Sequence, residues 1–248
     1  MFATPPVRRS RPCRQRAARL RSAVLSPNLV LAGPRPLRPA RASGTPCVVC
    51  GGSVHGRGRV CFCCGSTSRQ LGLPLVPVVV MADYRVGDAD HRRLRGYKDG
   101  RTTELRDRYR RELVSCLAEW TTVHGGLLVG RTGPWSVVTT VPSTRRPGPT
   151  PAEALVDGVP GLADRHLRLL GRGNGALDHL QATRDGFVPL PGVDREGLDG
   201  LPILVFDDSV TTGARAQSAA AALRLAGGRV VGILVVGRAL APRVCRGG

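Results

Sequence analysis

LPILVFDDSVTTGARAQSAAAALRLAGG, residues 201–228, sets the expected class of the fold. An apolar run at Ile203, Leu204, Val205 and Phe206 ends on two adjacent carboxylates, Asp207 and Asp208. A turn bearing hydroxyls and a glycine follows at Thr211, Thr212 and Gly213. An alanine-rich helical stretch comes next, closed by Gly227 and Gly228, the residue type that suits a left-handed exit from a helix. A second apolar run, residues 230–236, completes a strand–loop–helix–strand unit. Continuous apolar strands suit a parallel sheet covered on both faces, with a crossover helix as the connection. The predicted class is therefore α/β, a central parallel sheet flanked by helices.

The loop of this unit falls at the carboxyl end of a strand and the amino end of a helix. Unpaired N–H groups point outward there, and the helix dipole favours an anion by roughly 0.3–1 kcal/mol. Thr211 and Thr212 add hydroxyl donors, and Gly213 removes a side chain that would block close approach. Two carboxylates facing a phosphate would repel it. Facing a polyol that carries the phosphate, they accept its hydroxyls. The unit reads as a grip for ribose 5-phosphate; the alternative is a generic strand–turn–helix with an incidental Asp-Asp.

An apolar strand, two acidic residues, the spacers Ser209 and Val210, and then Thr-Thr-Gly closely resemble the diphosphoribosyl-binding signature of type I phosphoribosyltransferases. The resemblance implies that family's fold, with Asp207 and Asp208 as the catalytic pair on the ribose hydroxyls. It also implies a substrate-binding segment running through Ser209, Val210, Thr211, Thr212, Gly213, Ala214 and Arg215, whose loop part holds the 5-phosphate. Arg215 stands where that family often has Thr or Ser, and a guanidinium can pair a phosphate bidentately.

Two cysteine pairs form the second signal: Cys47-x-x-Cys50, ten residues, then Cys61-x-x-Cys64. Each knuckle offers two thiolates, and together they suit a closed tetrahedral zinc site that folds the segment and leaves no open coordination position. Cys63 is a spare thiol and His55 a weaker substitute ligand; a redox or disulfide pair is the competing reading.

A small zinc ribbon ahead of such a domain is the arrangement of the ComF family. The segment Leu94-Arg95-Gly96-Tyr97-Lys98-Asp99-Gly100 resembles the Tyr-Lys segment that follows the zinc module there, and it holds the chain's only lysine. The likeness covers residues 47–238. By position, residues 142–148 at the end of an apolar run resemble the pyrophosphate loop, with Arg145 and Arg146 suited to a diphosphate. Residues 147–154 lack the Arg-Gly-Phe-Asn-Gln segment carried by many relatives. The resemblance implies binding of 5-phosphoribosyl 1-diphosphate with Mg2+ and transfer of the phosphoribosyl group to an acceptor. The alternative it leaves is a non-catalytic competence or DNA-uptake accessory, or a sensor of the same ligand; a homodimer is also open.

The net charge of +19 is unevenly placed: no Asp or Glu precedes Asp83, while thirteen arginines do. Residues 1–46, rich in Arg, Pro and Ala, read as a disordered tail. It is a solvated extension or start-site artefact, a salt-sensitive nucleic-acid contact, or a transit peptide, against which its eight prolines argue. The expected organisation is this tail, a zinc module over 47–70, an α/β domain over 71–240 and a flexible end over 241–248. The longest apolar stretch, residues 71–82, has two prolines and falls short of the about twenty residues a span needs. No membrane contact is expected, and the expected location is cytoplasmic.

Along the body, residues 76–81 read as a strand. Leu105, Tyr109, Leu113, Leu117 and Trp120 recur at helical spacing over residues 101–120. Gly125 and Gly126 follow that helix, and residues 127–129 are expected to start a strand. Residues 135–141 read as a strand, and 152–170 as a helix broken near Gly158-Val159-Pro160. Residues 171–200 read as a long irregular loop. His166 and His179 have no partner spacing.

Overall fold

The computed structural model describes residues 37, 44–55, 57–143, 148–178 and 180–240. Four parallel strands form its centre: β1 (Val78–Tyr84), β2 (Val137–Thr140), β5 (Pro202–Val210) and β6 (Arg229–Ala239), in the order β1-β6-β5-β2. Helices cover both faces, as the apolar strands predict.

Strand periodicity explains how. In β5, Ile203 and Val205 face one layer with Ile233 and Val235 of β6, against Ala216, Ala219, Ala220 and Leu223 of α7 (Ala214–Leu225). Leu204 and Phe206, with Leu234 and Val236, face the other layer. That second layer is built by α2 (Ala89–Asp99), α3 (Thr103–Thr132) and α4 (Pro151–Asp157). Alternate residues of a strand point to opposite faces, and both faces here are buried.

The helix read over 101–120 is longer than its apolar stripe. It runs through Gly125 and Gly126 to Thr132, so residues 127–129 are helical and start no strand. Three helical glycines, Gly125, Gly126 and Gly130, cost about 3 kcal/mol relative to alanine. Burial of Leu128, within roughly 1.5–3 kcal/mol, offsets much of this, and Thr132 closes the helix by donating its hydroxyl to Leu128 O at 2.9 Å.

Other boundaries shift for local reasons. The first strand spans Val78–Tyr84 rather than 76–81, because its ladder begins where Val78 meets Ile233 of β6. Helix formation after Gly158 stops at α5 (Pro160–Ala163) and does not reach residue 170. The chain then runs beside β2: Val138 N donates to Arg165 O and Leu167 N donates to Val138 O, both at 2.9 Å. The edge strand's backbone groups take that segment as partner. Residues 171–200 are less irregular than expected. They include most of a hairpin of β3 (Leu170–Arg172) and β4 (Phe187–Pro189), then α6 (Arg195–Leu198).

The second cysteine pair opens a helix, α1 (Phe62–Leu71), which packs Leu71 near Ala214 and Ala221 of α7. The first knuckle docks on the sheet. Val78 N donates to Val49 O at 2.8 Å, and Arg131 donates to Val48 O at 2.6 Å. Arg238 of β6 faces Asp83 of β1 in register, donates Nε to Oδ1 at 2.7 Å and Nη2 to Oδ2 at 3.1 Å, and reaches Cys50 O with Nη1 at 2.9 Å. Among the described residues, no helix is long and apolar enough to cross a membrane.

Candidate functional site

A cleft of about 980 Å3 opens at the carboxyl ends of the strands. Asp207 and Asp208 form its floor, each only 2% exposed, and they lie within β5 rather than after it. Strand alternation sends them to different neighbours. Asp207 continues the face of Ile203 and Val205 and meets α7; Asp208 continues the face of Leu204 and Phe206 and meets α2.

Arg215, in the first turn of α7, places Nη2 3.3 Å from Oδ1 and 3.4 Å from Oδ2 of Asp207. The direction of this side chain, unreadable in the sequence, is therefore toward the first carboxylate. The charge of Asp207 raises the Arg215 pKa above its ordinary value.

Asp208 is held from α2. Lys98 straddles its carboxylate, with Nζ 2.7 Å from Oδ1 and 2.6 Å from Oδ2, and the Tyr97 hydroxyl donates to Oδ2. Ser209 donates its own hydroxyl to Oδ1 at 3.0 Å and lies 3.3 Å from Lys98 Nζ. Burial pushes the Asp208 carboxyl up to about 6, against the lowering influence of the Ser209 hydrogen bond and the Arg215 charge. Burial, followed by the charges of Asp208 and Asp207, also raises the pKa of Tyr84, which lines the same cleft.

Tyr97 and Lys98 were legible as a segment but not as part of the site. Their signal was the solitary lysine beside an aromatic residue; what lay beyond reach was that the α2 end returns to the β5 tip more than a hundred residues later. Leu94 and Tyr97 anchor that end by burial. Gly237 of β6 permits the approach, since a Cβ there would collide with Leu94 Cδ1 and lie 3.0 Å from the Tyr84 ring.

The loop carrying Thr211, Thr212 and Gly213 borders the same cleft. Gly213 caps α7 at φ 82°, in the left-handed region, and the α7 N-terminus opens there. Its hydroxyls, N–H groups and dipole suit an oxyanion. Ser209, Val210 and Ala214 also line the cleft, so the segment 209–215 is brought together with the acidic pair. Arg145 and Arg146 lie outside the described residues, as does His179. His166 stands apart, its Nδ1 2.7 Å from Asp157 Oδ1 at the β2 edge.

The cysteines form a separate centre. The sulfurs of Cys47, Cys50, Cys61 and Cys64 all lie within 4.8 Å of one another, so these four can hold a metal ion such as zinc. Cys50 and Cys61 are 3.7 Å apart, close to the about 3.8 Å edge of a tetrahedron with Zn–S bonds near 2.3 Å. Gly51, at φ 68°, turns the first knuckle, and Cys61 N donates to Cys47 Sγ at 3.3 Å. The Cys64 thiol, first among several donors, holds Cys50 down to about 5, whereas burial pushes Cys61 up to about 11. Neither Cys63 nor His55 belongs to the cluster.

No protein-family model and no curated protein matches this chain.

Proposed function

We propose that the cleft binds 5-phosphoribosyl 1-diphosphate with Mg2+ and transfers its phosphoribosyl group, in a type I phosphoribosyltransferase fold of the ComF kind. One observation carries this reading: two deeply buried carboxylates at a strand tip adjoin a glycine-capped helix N-terminus in a single cleft. A buried acidic pair beside an oxyanion nest suits a ligand that presents hydroxyls at one place and a phosphate close by.

Transfer would break the bond from ribose C1 to the diphosphate through an oxocarbenium-like state. Positive charge gathers on the ring and negative charge on the departing group. Asp207 and Asp208 accept the ribose hydroxyls and fix the ring; their negative field favours the cationic sugar. Thr211, Thr212 and the N–H groups around Gly213 hold the 5-phosphate. Arg145 and Arg146 belong to the pyrophosphate loop in this reading. Magnesium would be held chiefly by the diphosphate and water and would supply charge neutralisation. Zinc on Cys47, Cys50, Cys61 and Cys64 has a structural role.

Isothermal titration calorimetry with 5-phosphoribosyl 1-diphosphate and Mg2+, paired with pyrophosphate release over a panel of acceptors, tests the reading. Binding should vanish in the double variant Asp207→Asn, Asp208→Asn; unaltered binding there would sink it. The absent Arg-Gly-Phe-Asn-Gln segment favours a second reading, sensing of the same ligand without transfer. Binding without pyrophosphate release from any acceptor selects that one.

A further inference from the structure

We infer that Lys98 is the residue that selects a ligand bearing an anion at ribose C1, by exchanging Asp208 for that anion when the ligand arrives. The inference rests on the phosphoribosyl reading of the cleft and names a determinant within it.

The carboxylate of Asp208 is already crowded. Oδ1 faces Lys98 and Ser209, while Oδ2 faces Lys98 and Tyr97. A carboxylate offers about four acceptor positions, so a ribose hydroxyl can donate to it only if an existing donor moves. Tyr97 is buried and its ring is packed between α2 and the sheet. Ser209 can turn its hydroxyl away and admit one donor at Oδ1, but it does not touch Oδ2, which opens only when Lys98 yields. Lys98 is the mobile member, 27% exposed on a flexible four-carbon stem and bordering the cleft.

A displaced ammonium inside a closed cleft needs a new anion, because desolvating an unpaired charge is costly. On the phosphoribosyl reading the 5-phosphate is received elsewhere, at the α7 N-terminus that Gly213 caps. The anion left for Lys98 is therefore the one at the other end of the sugar. Ribose 5-phosphate lacks that group and would expel the lysine from Asp208 without compensating it.

The test compares wild-type protein with Lys98→Met and Lys98→Arg by calorimetry, using 5-phosphoribosyl 1-diphosphate with Mg2+ and, separately, ribose 5-phosphate. Lys98→Met should lose at least about tenfold in affinity for the diphosphate ligand, the scale of one charge-assisted hydrogen bond. Its affinity for ribose 5-phosphate should stay level or rise, since a competitor for Asp208 is gone. Lys98→Arg should restore most of the preference. Equal losses for both ligands would make Lys98 a mere support for Asp208 and overturn the inference, as would an unchanged diphosphate affinity. If wild-type protein binds neither compound, the phosphoribosyl reading itself falls and this inference with it.

Discussion

Arg215 reaches back from the first turn of α7 to Asp207, its Nη2 nearly equidistant from the two carboxylate oxygens at 3.3 and 3.4 Å. The guanidinium thus neutralises a buried acid from the segment that also opens α7. Removing one member of a fully buried pair costs about 3–5 kcal/mol. Arg215 is 35% exposed, and solvent screening reduces the expected loss for Arg215→Ala to about 1–2 kcal/mol. Urea unfolding at neutral pH reads this directly, and an unchanged midpoint would refute it.

Asp208 should weaken the fold at neutral pH. Its folded pKa, about 6, lies above the ordinary 3.8, so between those values the native state holds the proton more tightly. The stabilising contribution is complete below about 3.8 and disappears as pH rises through about 6. Across that window the change amounts to about 3 kcal/mol at most. Asp208→Asn should therefore gain on wild-type stability as pH rises from 4 to 7, while losing ligand binding. Parallel stability curves for the two proteins across that range would rule this out.

The four-sulfur cluster makes a composition prediction. Replacing Cys47, Cys50, Cys61 or Cys64 with Ser should abolish stoichiometric zinc, and Cys63→Ser should retain it. Elemental analysis of purified protein decides. Zinc retained in Cys64→Ser but lost in Cys63→Ser would show the wrong cysteine in the site.

Gly237 links packing to binding. Alanine there pushes against Leu94 and the Tyr84 ring, moving the α2 end away from β6. Overpacking of this kind costs about 1–3 kcal/mol. Because Tyr97 and Lys98 ride on α2, the variant should also bind 5-phosphoribosyl 1-diphosphate more weakly at temperatures where it is still folded. Thermal unfolding and calorimetry on one preparation separate the two effects; lost stability with unaltered affinity would show that α2 placement does not matter to the cleft.

The acidic pair, the glycine-capped loop and the crossover helix were readable because each depends on neighbours within thirty residues of chain. So were the cysteines, whose spacing is itself the coordination geometry. The course of α3 was not, since local rules end a helix at Gly125-Gly126 whereas burial of Leu128 carries it on. The placement of Lys98 was hidden for a related reason: Asp208 is its neighbour only after β1, β6 and β5 lie side by side. Arg215 showed the limit at shortest range, because a first-turn side chain can point toward the ligand or back to the strand.

The guanidinium of Arg238 joins Asp83 and the carbonyl of Cys50, a residue 188 positions earlier. During synthesis on the ribosome, the cysteine knuckles and β1 emerge long before this partner. Among the described residues, strand β1 pairs in the sheet with β6, so its ladder waits for that last strand, although Val78 N already finds Val49 O. The cysteine module already meets the body at Val78 and Arg131, but its third tie, from Arg238 to the Cys50 carbonyl, forms only when translation has passed residue 238. A nascent chain stopped before β6 should therefore carry a folded knuckle tethered to an unfinished domain, with the cleft still unformed.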